Sequence, residues 1–273
     1  MAVVDISYVC STFVYVYIRD DNEIKDYSFL DLSKRHVLFS ESSISGISEY
    51  VKGSKSIRMD NSIDFAARRA QANIKNDLII DIEMREEGFT PLCAVTQNGL
   101  RGYNYCHKGA GLPVQGTVKY KKRSFELNPD NALGILDWTA GCAARDTFWN
   151  WASGGGWLDD GRRLGINFVS GINDRGFTEN AFWVDGQPVK VDTVHFEYDP
   201  KEVMKKPWRI TSNDNKVDLY FHADNERAEN INFGVLISKF HQPFGRFEGT
   251  LEVDGKPTRV SLYGMVEEHQ ARW

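Results

Sequence analysis

The chain lacks the short signatures of several common chemistries. It has no G-x-S-x-G elbow, no H-E-x-x-H helix, no Walker loop and no G-x-G-x-x-G turn. Gly109-Ala110-Gly111 has no third glycine at the required spacing and follows no strand-to-helix transition, so it reads as a glycine-rich turn. The four cysteines, Cys10, Cys93, Cys106 and Cys142, are too few and too irregularly spaced for a disulfide framework. Cys93 with Cys106-His107 does not make a zinc spacing. Positive charge is not in excess: 33 Lys and Arg face 38 Asp and Glu, a net charge of -5. This argues against a nucleic-acid surface, which needs clustered cations. No apolar run reaches the roughly 20 residues of a membrane helix. Asp5 interrupts the apolar opening and no Lys or Arg precedes it, so residues 1 to 18 read as two strands rather than a signal peptide. No glycosylation sequon is present. The expectation is a cofactor-free cytoplasmic protein without membrane insertion.

What is abundant is alternation. Apolar side chains at every second position put one face of a strand on a core and the other toward solvent. The pattern runs through Thr12 to Ile18, through Leu164, Ile166 and Phe168, and through Val217, Leu219 and Phe221. It returns at Phe247, Gly249 and Leu251, and at Val260 and Leu262. Asp185-Gly186 and Asp254-Gly255 sit between strand-like residues and mark tight hairpins. No long helical stripe is found; Asp31 to Phe39 and Asp199 to Lys205 are the best candidates for short helical connectors. The fold class is all-β.

All seven tryptophans lie in the second half, after a basic strand from Lys119 to Arg123 and the turn Asn128-Pro129-Asp130. The basic strand reads as a solvated edge on which lysines discourage strand pairing. A domain boundary is expected there, giving an amino-terminal barrel-like domain over 1–127 and a Trp-rich barrel over 128–273. Closure into barrels is a common way to remove exposed strand edges.

The richest stretch for chemistry interleaves ionisable and aromatic side chains: Asp137 and Trp138, then Arg145, Asp146, Trp149 and Trp151. Apolar walls around a carboxyl raise its pKa and keep a proton available for general-acid work, so Asp137 and Asp146 are candidate acids. An Arg-Asp pair with tryptophans plugging a barrel end is the structural alternative. Trp149 and Trp151, two apart in a strand, share a face. By the same rule Arg145 and Asp146 point oppositely, leaving Asp146 to find another partner. His241, between Phe240 and Phe244, is the expected one. In the tail, Glu267, His269 and Arg272 are candidate polar groups, or parts of a capping segment.

In order, Asp137-Trp138, Phe148 to Ser153, Gly161 to Gly165, Thr178-Glu179-Asn180-Ala181, Pro207-Trp208, His241 to Gly245 and Gly264 to Trp273 resemble a bacterial domain-of-unknown-function family, 2804. More distantly, Asp137-Trp138, Trp149-Asn150-Trp151 and Leu158 to Arg162 are similar to carotenoid hydratase and AttH-like proteins. The resemblance implies tandem lipocalin-like (calycin) barrels, and relatives that hydrate, cyclise or isomerise apolar substrates without a cofactor. Members of the closer family usually open with a Trp-rich segment that is not seen here, so the first barrel is expected to lack strands.

Three functions follow as expectations. The first is a binder of an apolar small molecule such as a lipid, fatty acid or isoprenoid, contacted by Trp138, Arg145, Trp149, Trp151, Asn180, Glu267 and His269. The second is a cofactor-independent lyase or isomerase using Asp137 or Asp146 as acid, with His241 or Glu179 as partner. The third is a structural protein with filled barrels.

Overall fold

The computed structural model describes every residue except 7–8, 65–66, 99, 101, 143, 173–175, 233, 235–236 and 273, and residues 62–64 by backbone alone. The final tryptophan therefore lies outside the described residues. Among those described, the chain is all antiparallel β, with a single 3-10 turn at Arg19–Asp21 and no α-helix. The two expected helical connectors fold as turns. At Asp31 the carboxylate accepts the Ser33 and His36 amides, 2.9 and 3.1 Å away, and so holds a bend. At Asp199 the bonds are of three-residue type, Glu202 N to Asp199 O and Lys205 N to Glu202 O, both 2.9 Å. In each case local capping competes with helix propagation.

Contacts divide the chain into two compact units, one comprising Met1–Glu87 and Leu112–Gly134, the other Gly88–Gly111 and Ile135–Trp273. The first unit begins with a three-stranded meander of β1 (Ala2–Asp5), β2 (Cys10–Ile18) and β3 (Glu23–Asp31). There follow β4 (Val37–Leu38), β5 (Ile47–Lys52), β6 (Lys55–Asp64), β7 (Ala67–Ile74) and β8 (Leu78–Arg85), each paired with the next. Next come β9 (Leu92–Asn98), the long β10 (Gly102–Tyr120), β11 (Arg123–Leu127) and β12 (Leu133–Gly141). The second half of β10 pairs with β8 and β11 in the first unit, where Val14, Ile57, Ile74, Leu78 and Tyr120 form the core. The stretch Lys119 to Arg123, expected to be a solvated edge strand, is instead the end of β10, a turn and the first residue of β11; Lys119 lies between β8 and β11, and Lys121 and Arg123 pair with Glu23 and Asp21 at 2.6 Å.

The second unit is built on β13 (Asp146–Trp157), β14 (Arg163–Ser170), β15 (Ala181–Val184), β16 (Gln187–Lys190), β17 (Val194–Glu197) and β18 (Trp208–Ser212). It is completed by β19 (Val217–Asn232), β20 (Ile237–Val253) and β21 (Lys256–Arg272), in the sheet order β16-β15-β14-β13-β21-β20-β19-β18-β17. Both Asp-Gly pairs make the expected hairpins: Asp185 and Gly186 have φ of 46° and 80°, Asp254 and Gly255 of 53° and 72°. Alternation puts Ala152, Ile166, Phe168, Phe182, Trp208, Phe221, Phe247 and Val266 on one face, where the curled sheet packs them into a single core. That face is filled by side chains.

The opposite face of β13, β14 and β15 is covered by the segment Gly88–Gly111. Phe89 stacks on Trp183 at 5.7 Å, the Trp183 indole donates to Thr90 O at 2.8 Å, and Thr90 N donates to Gly186 O at 2.9 Å. Gly165 is required here: a Cβ on it would stand 2.1 Å from the Ala110 carbonyl. This close approach presses the first half of β10 onto the sheet and buries Lys108 against it.

Candidate functional site

Lys108 is the centre of the covered face. It falls in a strand stretch that is otherwise buried and largely apolar, from Cys106 to Leu112, and its Nζ lies 2.5 Å from Asp137 Oδ1 and 3.2 Å from Glu179 Oε2. It also stands 5.7 Å from the centre of the Trp151 ring, in cation–π range. The two carboxylates outweigh burial and raise the ammonium pKa above its ordinary value, so Lys108 stays charged. Beside it, burial pushes the Cys106 thiol up to about 12, assisted by Glu179. Cys106 is therefore a packed thiol and not a nucleophile.

A second polar group continues along the same face. In the β13–β21 ladder Trp149 lies opposite His269 and Trp151 opposite Glu267, so the two tryptophans do share a side, together with both tail residues. Glu267 is 8% exposed and accepts from Trp149 Nε1 at 2.9 Å and Gln242 Nε2 at 2.6 Å, with His269 Nδ1 3.4 Å away. The His269 ring packs between Trp149 and Phe240, 4.2 and 5.2 Å from their centres, and its Nε2 meets Ser238 Oγ at 3.1 Å. Trp151 Nε1 donates to Asn167 Oδ1 at 2.9 Å, and Asn167 Nδ2 in turn to the Glu179 carbonyl at 2.8 Å. Every indole nitrogen here has a partner, as buried polar groups need.

The structure thus gathers Asp137, Glu179 and Trp151 around Lys108 and places Trp149, Glu267 and His269 farther along the Trp151 side of the sheet, and it separates the others. Asp146 pairs with Arg272 at 2.6 Å at the start of β13, and His241 pairs with Glu226 at 2.9 Å. The expected Asp146–His241 pairing is therefore replaced by two half-exposed or exposed ion pairs. His241 lies opposite Glu268 in the β20–β21 ladder, one position out of phase with Glu267 and His269, and so on the other side of the sheet. Asn180 is fully buried and holds backbone: its Oδ1 accepts the Val169 amide at 2.6 Å and its Nδ2 donates to Asp192 O at 3.1 Å. Arg145 is exposed, and Trp138 packs edge-on against Tyr105 at 5.6 Å.

A cleft of about 410 Å³ opens next to this face, lined by Pro91, Leu92, Ala94, Phe177, Ala181 and Pro188 together with Cys93, Val95, Thr178 and Lys190. The segment Phe177 to Ala181 serves both features: Thr178 and Ala181 line the cleft while Glu179 turns to Lys108. Sequence reasoning missed Lys108, Asn167, Ser238 and Lys190. A lone lysine inside a run of buried strand residues was the available signal for Lys108.

A family profile described as a domain of unknown function, DUF2804, matches residues 1–273. The chain belongs to this family. No curated protein sequence matches this DUF2804 chain. Among solved structures it is similar to kievitone hydratase from Nectria haematococca, at 14% identity and a TM-score of 0.60, covering 97% of this chain and 81% of that one. An AttH-like protein from Nitrosomonas europaea shares 11% identity with a TM-score of 0.47, covering 95% and 80% of the two chains. CghA with Sch210972 shares 11% identity with a TM-score of 0.49, covering 97% and 84%. The likeness to kievitone hydratase establishes the expected tandem lipocalin-like fold. Among the described residues of the DUF2804 chain, no helix is long and apolar enough to cross a membrane.

Proposed function

We propose that the protein binds an apolar small molecule in the cleft of the second unit. The observation that carries this reading is the cleft itself: its volume of about 410 Å³ lies in the range of small-molecule sites, and its walls are mainly apolar with a few polar groups. The aromatic-rich core face is packed with its own side chains, so the reading places the ligand on the covered face of the sheet rather than among Phe168, Phe221 and Phe247. Native mass spectrometry of freshly purified protein tests it. A co-purifying small molecule lost from Val95→Trp, a substitution that adds bulk at an exposed wall of the cleft, is the expected result. A ligand retained unchanged by that variant would move the site elsewhere.

A second reading, a cofactor-independent lyase or isomerase, is favoured by the Lys108 cluster. Adding a proton to an apolar substrate develops positive charge, and Asp137 and Glu179 around the single Lys108 ammonium, beside the Trp151 ring, form a fixed, net-negative cluster that stabilises it. The kinship in fold with a hydratase supports the same direction. Turnover that disappears in Lys108→Met while cleft binding persists would favour catalysis.

A further inference from the structure

Two lysines of the second unit are solvated in opposite ways. Lys108 meets two carboxylates. Lys190, on the wall of the cleft, donates to Thr178 Oγ1 at 2.6 Å, Val191 O at 2.7 Å and Asn180 O at 2.9 Å, all uncharged oxygens. Among the described residues no carboxylate reaches its Nζ within ion-pair distance. The acids that act on it through space are held by other partners: Asp192 accepts the Thr193 amide at 2.7 Å, Asp214 accepts from Ser212 Oγ at 2.7 Å and pairs with Lys216 at 3.2 Å, and Glu179 pairs with Lys108 at 3.2 Å. Partial removal from water lowers the Lys190 pKa by more than the surrounding carboxylates of Asp192, Asp214 and Glu179 raise it. A cation beside apolar walls is stabilised by an anion that brings its own apolar body.

We propose that the ligand of this cleft is an apolar carboxylic acid whose carboxylate seats on Lys190 and whose chain lies along Leu92, Ala94 and Phe177. The proposal rests on the reading of the cleft as the ligand site and adds the chemical class of the ligand. The carboxylate takes the place of the Thr178 hydroxyl or shares its proton donor, while the two carbonyls keep the ammonium in place. A neutral alcohol of the same chain fills the same apolar space but gains no charge-assisted hydrogen bond.

Cys93 provides a local reporter, since it lines the cleft and is exposed, whereas Cys10 and Cys106 are buried. In full-length Cys142→Ser protein, which removes the other exposed thiol, the rate of Cys93 alkylation by iodoacetamide is followed against dodecanoate and against dodecanol. Dodecanoate is expected to protect at about tenfold lower concentration than dodecanol, the scale of one charge-assisted hydrogen bond. Lys190→Met is expected to abolish that preference while dodecanol still protects, and Lys190→Arg to retain it. Equal protection by acid and alcohol, or a preference that survives Lys190→Met, overturns the carboxylate assignment and leaves the cleft. Protection by neither compound overturns the cleft reading and the assignment with it.

Discussion

Lys108 and Glu179 form an ion pair of 3.2 Å in which the two side chains are only 7% and 4% exposed. Removing the ammonium leaves the Glu179 carboxylate buried without this counter-ion. Lys108→Met is therefore expected to destabilise the protein by about 3 to 5 kcal/mol in urea unfolding. Adding Glu179→Gln to that variant is expected to restore part of the loss, because the stranded charge is gone. A double variant no more stable than the single one would show that the cost lies in packing.

Trp151 combines bulk with a hydrogen bond to Asn167. Trp151→Ala is expected to cost about 3 to 5 kcal/mol, the range for truncating a large packed aromatic. Trp151→Phe keeps most of the bulk and removes the donor, and should cost about 1 to 3 kcal/mol. Thermal and urea unfolding of the two variants together separates the contributions.

Asp146 and His241 sit in ion pairs with Arg272 and Glu226 whose members are 29% to 61% exposed. Pairs of this kind contribute at most about 1 kcal/mol. Asp146→Asn and His241→Ala should each change stability by less than that and leave cleft binding intact. A loss of binding or turnover in either variant would return that residue to the site.

Alkaline pH should weaken the fold through Cys106. Its folded thiol pKa is about 12 against an ordinary 9.0, because burial disfavours the thiolate. The unfolded chain releases this proton first, so the contribution is fully present below pH 9 and declines as pH rises toward 12. Tyr27 and Tyr198, also raised by burial and by hydrogen bonds to Asp77 and Glu268, act in the same sense. Unfolding free energy measured between pH 8 and 11 should fall less steeply in Cys106→Ala than in the parent.

The all-β class, the two Asp-Gly hairpins and the shared face of Trp149 and Trp151 were legible in the sequence because each rests on neighbours. A period of two needs only the local pleat, and a hairpin needs only a glycine that accepts positive φ. The same local logic sent Asp146 in search of a partner other than Arg145, and it pairs with Arg272. Local logic could not choose Arg272 over His241, since that choice depends on a partner strand 126 residues away. Nor does alternation say that Gly88–Gly111 packs over β13, β14 and β15, where Gly165 lets the backbone approach and where Lys108 loses its water. Strand identity and facing were determined by sequence alone. The ionic pairings and the contrast between Lys108 held by carboxylates and Lys190 held by uncharged oxygens were decided by tertiary structure, because desolvation and charge pairing depend on segments that meet only when the chain has folded.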